Sequence, residues 1–368
     1  MRLSPLFFAL LILLFCAATT PIEAQTTRTV PLSLWIKKDV KTTASLRGLS
    51  VVNEKIVWAS GTGGTVIRTI DGGNTWNVMT VTGAEKLDFR DIEAFDANTA
   101  YILSIGNGEN SRIYKTTDGG KIWKLQFKNT NEKAFFDAIA CWDRANCIAM
   151  SDPVDAKFLL LHTENGNDWS FLSTGLVAKA RDKIFFAKDG EAAFAASGTC
   201  LIAFGKKHVN LVTGGSVARV FRSWDRGKSW SIEDTPMIKG TSGSGIFSIA
   251  MFDEKLGVIV GGNYEKPEEN INNLAFTSDG GGTWLAGTGL NGYRSGVTWV
   301  DKNIIVAVGT NGSDISYDGG KTWSSVDKEN YNAVQSKGRR VIWAVGPNGR
   351  VALCPITDLL KLVNINLF

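Results

Sequence analysis

Three arginines, Arg47, Arg90 and Arg294, are the side chains here best suited to holding an anion. A planar guanidinium meets a carboxylate through two parallel N–H donors. Acids, a phenol and an amine accompany them: Asp137, Asp152, Asp155, Tyr264, Glu265 and Lys266. Gathered around one concavity, this set would bind an anionic or mixed-charge partner. Taken singly, each is more simply a solvated rim charge, and Asp152-Pro153 is a good turn starter. Other chemistry lacks raw material. Two histidines, His162 and His208, leave little for a metal site or a Ser/His/Asp triad. The cysteines Cys141, Cys147, Cys200 and Cys354 match no zinc spacing, so neither metal nor cofactor is expected.

Residues so far apart in sequence meet only if a repeat brings them together. The stretch Thr69-Ile70-Asp71-Gly72-Gly73-Asn74-Thr75-Trp76 recurs at Thr116–Trp123, Ser223–Trp230, Thr277–Trp284 and Ser316–Trp323. In every copy an Asp stands five residues before the Trp: Asp71, Asp118, Asp225, Asp279 and Asp318. A sixth copy, Thr163–Trp169, is worn; the same spacing puts Glu164 in place of the Asp. A short carboxylate accepts N–H groups of its own tight turn, and glycine takes positive φ without steric cost. The tryptophans (Trp76, Trp123, Trp169, Trp230, Trp284, Trp323) read as apolar anchors for packing, not as sugar-stacking platforms.

This pattern resembles the Asp-box, or bacterial neuraminidase, repeat. The resemblance implies a hairpin between the third and fourth strands of a β-propeller blade, with a structural Asp. Ahead of each copy lie three short strand-like runs, and a seventh unit (332–335, 341–345, 350–354) lacks the box. Its missing fourth strand is expected from Ser33–Lys37, where Trp35 matches Trp76; Lys361–Ile365 is the weaker candidate. The expected fold is all-β, a seven-bladed β-propeller of four-stranded antiparallel blades, its ring closed so that no sheet edge stays open.

In such propellers, loops between strands two and three share a face with the connections between blades. The resemblance therefore implies that Arg47, Arg90, Arg294 and Asp137 ring the mouth of a central channel. Asp152 and Asp155 of blade three and Tyr264, Glu265 and Lys266 of blade five would stand above it. The long connection between Trp169 and Cys200 would hang over the mouth as a lid. Two groups share this architecture. Sialidases cleave glycosides at the mouth, but the Phe/Tyr-Arg-Ile-Pro motif that precedes their first box is missing here. The chain looks more like the photosystem II stability/assembly factor group and its non-photosynthetic relatives, across Trp35–Cys354. That likeness implies a chaperone-like scaffold engaging a protein or peptide, with an acidic segment suited to the arginines. A sialidase-type hydrolase is the alternative; that resemblance implies Arg47, Arg90 and Arg294 on a substrate carboxylate, with Tyr264, Glu265 and Asp152 as the catalytic groups.

A net charge of +4, with no basic stripe interleaved with aromatics, gives no argument for nucleic acid. Arg2, the apolar run Leu6–Ala18 and Ala24 read as a secretory signal peptide over 1–24. A single propeller over 25–355 and a tail over 356–368 follow, in an exported (periplasmic or secreted), monomeric chain without a membrane span. Bulky Phe15 argues against a lipid anchor at Cys16. Cys141 and Cys147 face one another across a turn, where a disulfide and two buried thiols stand equally open.

Overall fold

Blade one shows how the repeat builds itself. Leu46–Val51, Val57–Gly61, Thr65–Thr69 and Asn77–Thr80 form an antiparallel meander whose first three strands are almost wholly buried and whose fourth is mostly exposed. β-Branched residues crowd the buried strands, where their stiff side chains pack well on a pleated surface. The structure, a computed structural model, describes residues 34–172 and 186–355. The same meander recurs with innermost strands Phe89–Ala94, Phe136–Cys141, Leu201–Phe204, Ser244–Met251, Gly296–Trp299 and Ala333–Ser336. These innermost strands neighbour one another all the way round, which makes seven blades in a closed ring.

The N-terminal strand closes it. Ile36–Lys38 pairs antiparallel with Val351–Cys354, Ile36 opposite Leu353, as the outer strand of blade seven. Trp35 is buried against Val306, Tyr331 and Ile342, and its indole Nε1 donates to Ser313 Oγ at 3.0 Å. The expected signal peptide, the lid stretch Ala178–Lys183 and the competing strand Lys361–Ile365 lie outside the described residues. No helix among the described residues is long and apolar enough to cross a membrane.

The core lies between blades. Leu49, Ile67 and Trp343 join blades one and seven; Trp58, Phe89 and Ile102 join blades one and two. Each such side chain contributes about 1.5–3 kcal/mol on burial. Hydrogen bonds stitch the inner ring. Ser50 Oγ accepts the Ala94 N–H at 3.0 Å and Asp91 Oδ2 accepts that of Ile139 at 2.8 Å. Ser248 does the same for Val297, Thr298 for Ser336 and Gln335 for Val51. Side chains of one blade thus satisfy N–H groups of the next that would otherwise be orphaned near the axis.

The five repeated turns share one wiring. Asp71 Oδ1 accepts the Thr75 N–H at 2.9 Å. Thr69 Oγ1 donates to Asp71 Oδ1 at 2.8 Å and accepts the Gly73 N–H at 2.9 Å. Asp118, Asp225, Asp279 and Asp318 repeat it with Ile122, Ser229, Thr283 and Thr322. Gly73, at φ 80°, lies against the Trp343 ring, where a Cβ would collide. Trp76 packs edge-on to Trp343 at 5.6 Å, Trp123 on Trp58 at 6.2 Å and Trp169 on Tyr101 at 6.1 Å. The tryptophans wedge between blades.

The worn copy departs from expectation. Asn165, not Glu164, takes the Asp's place: its Oδ1 accepts the N–H groups of Asn167 and Asp168, both at 2.9 Å. Thr163 donates to it as Thr69 does to Asp71. The turn is simply one residue shorter, so counting back from the Trp selects the exposed Glu164. Cys141 and Cys147 sit opposite one another in register, Cα atoms 4.0 Å apart, joined by a disulfide. Cys200 and Cys354 are buried core residues.

Candidate binding site at the mouth of the ring

Arg47 and Arg90 stand at the start of their innermost strands, each beside a β-bulge that turns the strand's first residues. Both reach the same short segment. Arg47 Nη1 donates to the carbonyl of Ala196 and Arg90 Nη1 to that of Ala195, each at 3.1 Å. Arg90 Nε also pairs with Asp88 Oδ2 at 2.8 Å. Burial pulls the Arg47 pKa below its ordinary value, and the neighbouring Arg90 adds to the effect.

The segment they hold, Ala193–Thr199, ends the insertion before blade four and lies across the mouth. The Ala193 N–H donates to Asp152 Oδ1 of blade three at 2.8 Å. Phe194 stacks on Phe247 of blade five at 3.9 Å, and the edge of Tyr293 meets the same ring. Ser197 Oγ donates to the Ser295 carbonyl at 2.7 Å, and Thr199 shares a hydrogen bond with Ser248. Gly198, at φ 78°, presses on the Asp91 carboxylate, where no Cβ would fit. Contacts on opposite sides of the ring make this a plug seated in the mouth, not a lid above it. Its Ala, Ser and Gly residues are small enough for the narrow axis.

Two expectations for the mouth are corrected. Arg294 does not face it. The residue is 1% exposed, with Nη2 2.6 Å and Nε 2.8 Å from Asp314 Oδ2, and Nη1 on the Tyr293 carbonyl and Asn311 Oδ1. A buried guanidinium needs all its donors met, and blade six meets them. Asp314, an acid inside the buried strand Gly312–Ser316, was the sequence signal that pointed to a buried partner. Asp137 is also buried; Oδ2 has no hydrogen-bond partner, and burial followed by the neighbouring Asp152 pushes its pKa far up. It is no rim anion. Tyr264, Glu265 and Lys266 stand exposed on the blade-five loop, Tyr264 against Phe247 and Lys266 paired with Glu269. With Arg294 committed to Asp314, three guanidiniums do not converge as a sialidase site requires.

Asp152 accepts the plug's Ala193 N–H, and burial pushes its pKa up to about 6 against that opposing pull. Asp155 is exposed and pairs with Lys133 at 3.4 Å. Asp91 escaped the sequence reading. Buried beneath the plug, it is pushed up to about 7 by burial although it accepts the N–H groups of Ile139 and Ile92. Beside the plug a groove of about 440 Å³ opens between Phe135, Lys133, Asp152 and Pro153 on one side and Lys188–Ala192 on the other. Its wall is braced from behind by Glu191, which is buried and paired with Arg219.

No family model matches this sequence, and no curated protein matches it. Solved structures do. The chain is similar to YCF48 bound to a D1 peptide, with a TM-score of 0.61 at 18% identity over 89% of this chain and 98% of that one. YCF48 from Cyanidioschyzon merolae gives 0.61 at 17% identity, over 87% and 98%. The GH74 enzyme of Niastella koreensis gives 0.58 at 14% identity, over 88% of this chain and 54% of that one. Identities this low carry the fold alone, a β-propeller found both in a peptide-bound protein and in a GH74 enzyme.

Proposed function

We propose that this chain is an exported binding protein of the assembly-factor type, which engages a segment of another protein at the plugged mouth and its adjoining groove. One observation carries the reading: Arg47 and Arg90 each hold a main-chain carbonyl of the plug's turn, at Ala196 and Ala195. A surface that already grips one peptide backbone is suited to gripping a second beside it. Donors left over on both guanidiniums favour a partner with acidic side chains. The peptide seated on one structural neighbour supports the same class of ligand.

Photo-crosslinkers placed at Lys188 and Lys133, which flank the groove, test the reading in the native host. The expected product is a discrete adduct lost in the Arg47→Ala/Arg90→Ala variant and weakened by salt, since exposed charges are screened within about 8–10 Å. Adducts indifferent to both arginines and to salt would overturn it. Hydrolysis of a fluorogenic sialoside by the wild type, lost in Tyr264→Phe, would replace it with the hydrolase reading. Export is checked separately, by finding a mature N-terminus at Gln25 outside the cytoplasm.

A further inference from the structure

Blade four breaks the pattern of the face opposite the plug. In five blades the turn between strands one and two opens with an Asn or Asp whose Oδ1 accepts two following N–H groups: Asn53, Asp96, Asp143, Asp253 and Asp301. Blade four has Gly205-Lys206-Lys207 instead. Blade seven is basic there too, but its Arg339 and Arg340 reach Asp301 and Glu54. Lys206, Lys207 and Lys228 are exposed, and no carboxylate among the described residues pairs with them.

The neighbouring Asp turn is altered in the same direction. Its first glycine, present as Gly72, Gly119, Gly280 and Gly319 elsewhere, is Arg226, held at φ 62°. A residue with a Cβ is strained in that conformation, and such strain gathers at functional sites. The guanidinium lies over the Trp142 ring at 5.4 Å and donates to Asn146 Oδ1 at 2.6 Å. Trp142 donates in turn to the His208 carbonyl at 2.8 Å, and the disulfide clamps the turn that carries it. On this braced floor stands Trp224, 50% exposed, with Arg222 4.7 Å from its ring centroid.

We propose that this surface, Lys206, Lys207, Lys228, Arg226 and Trp224, is a second docking site, for an acidic peptide segment that carries an aromatic side chain. The lysines supply the charge complement and the indole a flat anchor, the two parts of a compact interaction hot spot. Asp143 and Glu254 flank the patch, Glu254 close by Gly205. A flat anionic membrane would press against those carboxylates, whereas a peptide one blade wide lies between them. Two faces then bind two partners, one at the plug and one here.

The test uses the whole protein and a fluorescein-labelled peptide of alternating Glu and Tyr, followed by anisotropy. Expected is salt-sensitive binding, weakened at least about tenfold in Lys206→Glu/Lys207→Glu/Lys228→Glu and in Trp224→Ala. The comparison is repeated in the Arg47→Ala/Arg90→Ala background, where the mouth is disabled; the tenfold loss on adding the lysine substitutions should persist there, which separates this site from the one at the mouth. The three lysines and Trp224 are exposed, and an unchanged Tm in their variants confirms folding. Equal binding by the triple variant, or binding of phosphatidylglycerol vesicles in place of the peptide, would overturn the proposal.

Discussion

Arg47 Nη1 lies 3.1 Å from the carbonyl oxygen of Ala196, a contact between the first blade and the insertion before the fourth. With its twin from Arg90 it fixes the plug, so the arginines act on the chain's own backbone before any partner arrives. The Arg47→Ala/Arg90→Ala variant should therefore speed amide hydrogen exchange over 193–199 while the blade strands stay protected. The loss in stability should be about 1–3 kcal/mol, the worth of two charge-assisted bonds. Gly198→Ala should release the same segment by another route, forcing a Cβ toward Asp91 at positive φ. Unchanged exchange in both variants would mean that the plug is held elsewhere.

Arg294 makes the opposite prediction to the one its sequence position invites. A rim charge removed costs almost nothing. A buried pair broken on one side costs about 3–5 kcal/mol, because a lone carboxylate is stranded in the interior. Arg294→Ala should lower the urea midpoint sharply, and Arg294→Met/Asp314→Leu should recover much of the loss. Partner binding in the double variant should match the wild type.

The Asp turns set the acid limit. Hydrogen bonds within the turn pull Asp279 down to about 2, the Thr283 N–H contributing most among the favourable ones. A depressed pKa stabilises the fold above the unfolded value near 4 and loses that contribution as pH falls toward 2. Asp279→Ala should flatten this acid limb. The carboxylate is exposed, so solvent screening holds the effect at or below about 1 kcal/mol. A melting series from pH 5 to 2 reads it directly.

Asp91 works with the other sign. Its pKa is raised by burial to about 7, so the native state binds a proton that the unfolded chain releases near 4. The stabilisation is complete below pH 4 and disappears as pH rises through 7, on the order of 3 kcal/mol across the window. Asp152, pushed up to about 6, adds in the same direction. Melting temperature should therefore fall from pH 5 to pH 8, and Asp91→Asn should flatten that slope. An unchanged slope in the variant would assign it to other groups.

The ring was legible in the sequence because each blade is written locally. A turn such as Thr69–Trp76 is made by side chains binding the backbone within four residues, and that spacing survives in the one-dimensional string. Closure by Trp35 was legible for the same reason: a strand resembling the one after each turn stood where the last unit lacked one. The worn turn was misread because one deleted residue moved the Asn that does the work out of step with the Trp.

What the mouth contains was decided only in three dimensions. Whether an arginine faces solvent depends on what the ring brings beside it, and Arg47, Arg90 and Arg294 differ little as sequence. Two meet carbonyls of a distant insertion, and the third meets Asp314 across two strands. The insertion itself carries no periodic pattern, since a plug of small residues is held by contacts to several separate blades and not by its own neighbours. Repetition and turn chemistry are local and determine the propeller. Burial and charge pairing at the axis are sums over all seven blades, and they exist only once the ring has closed.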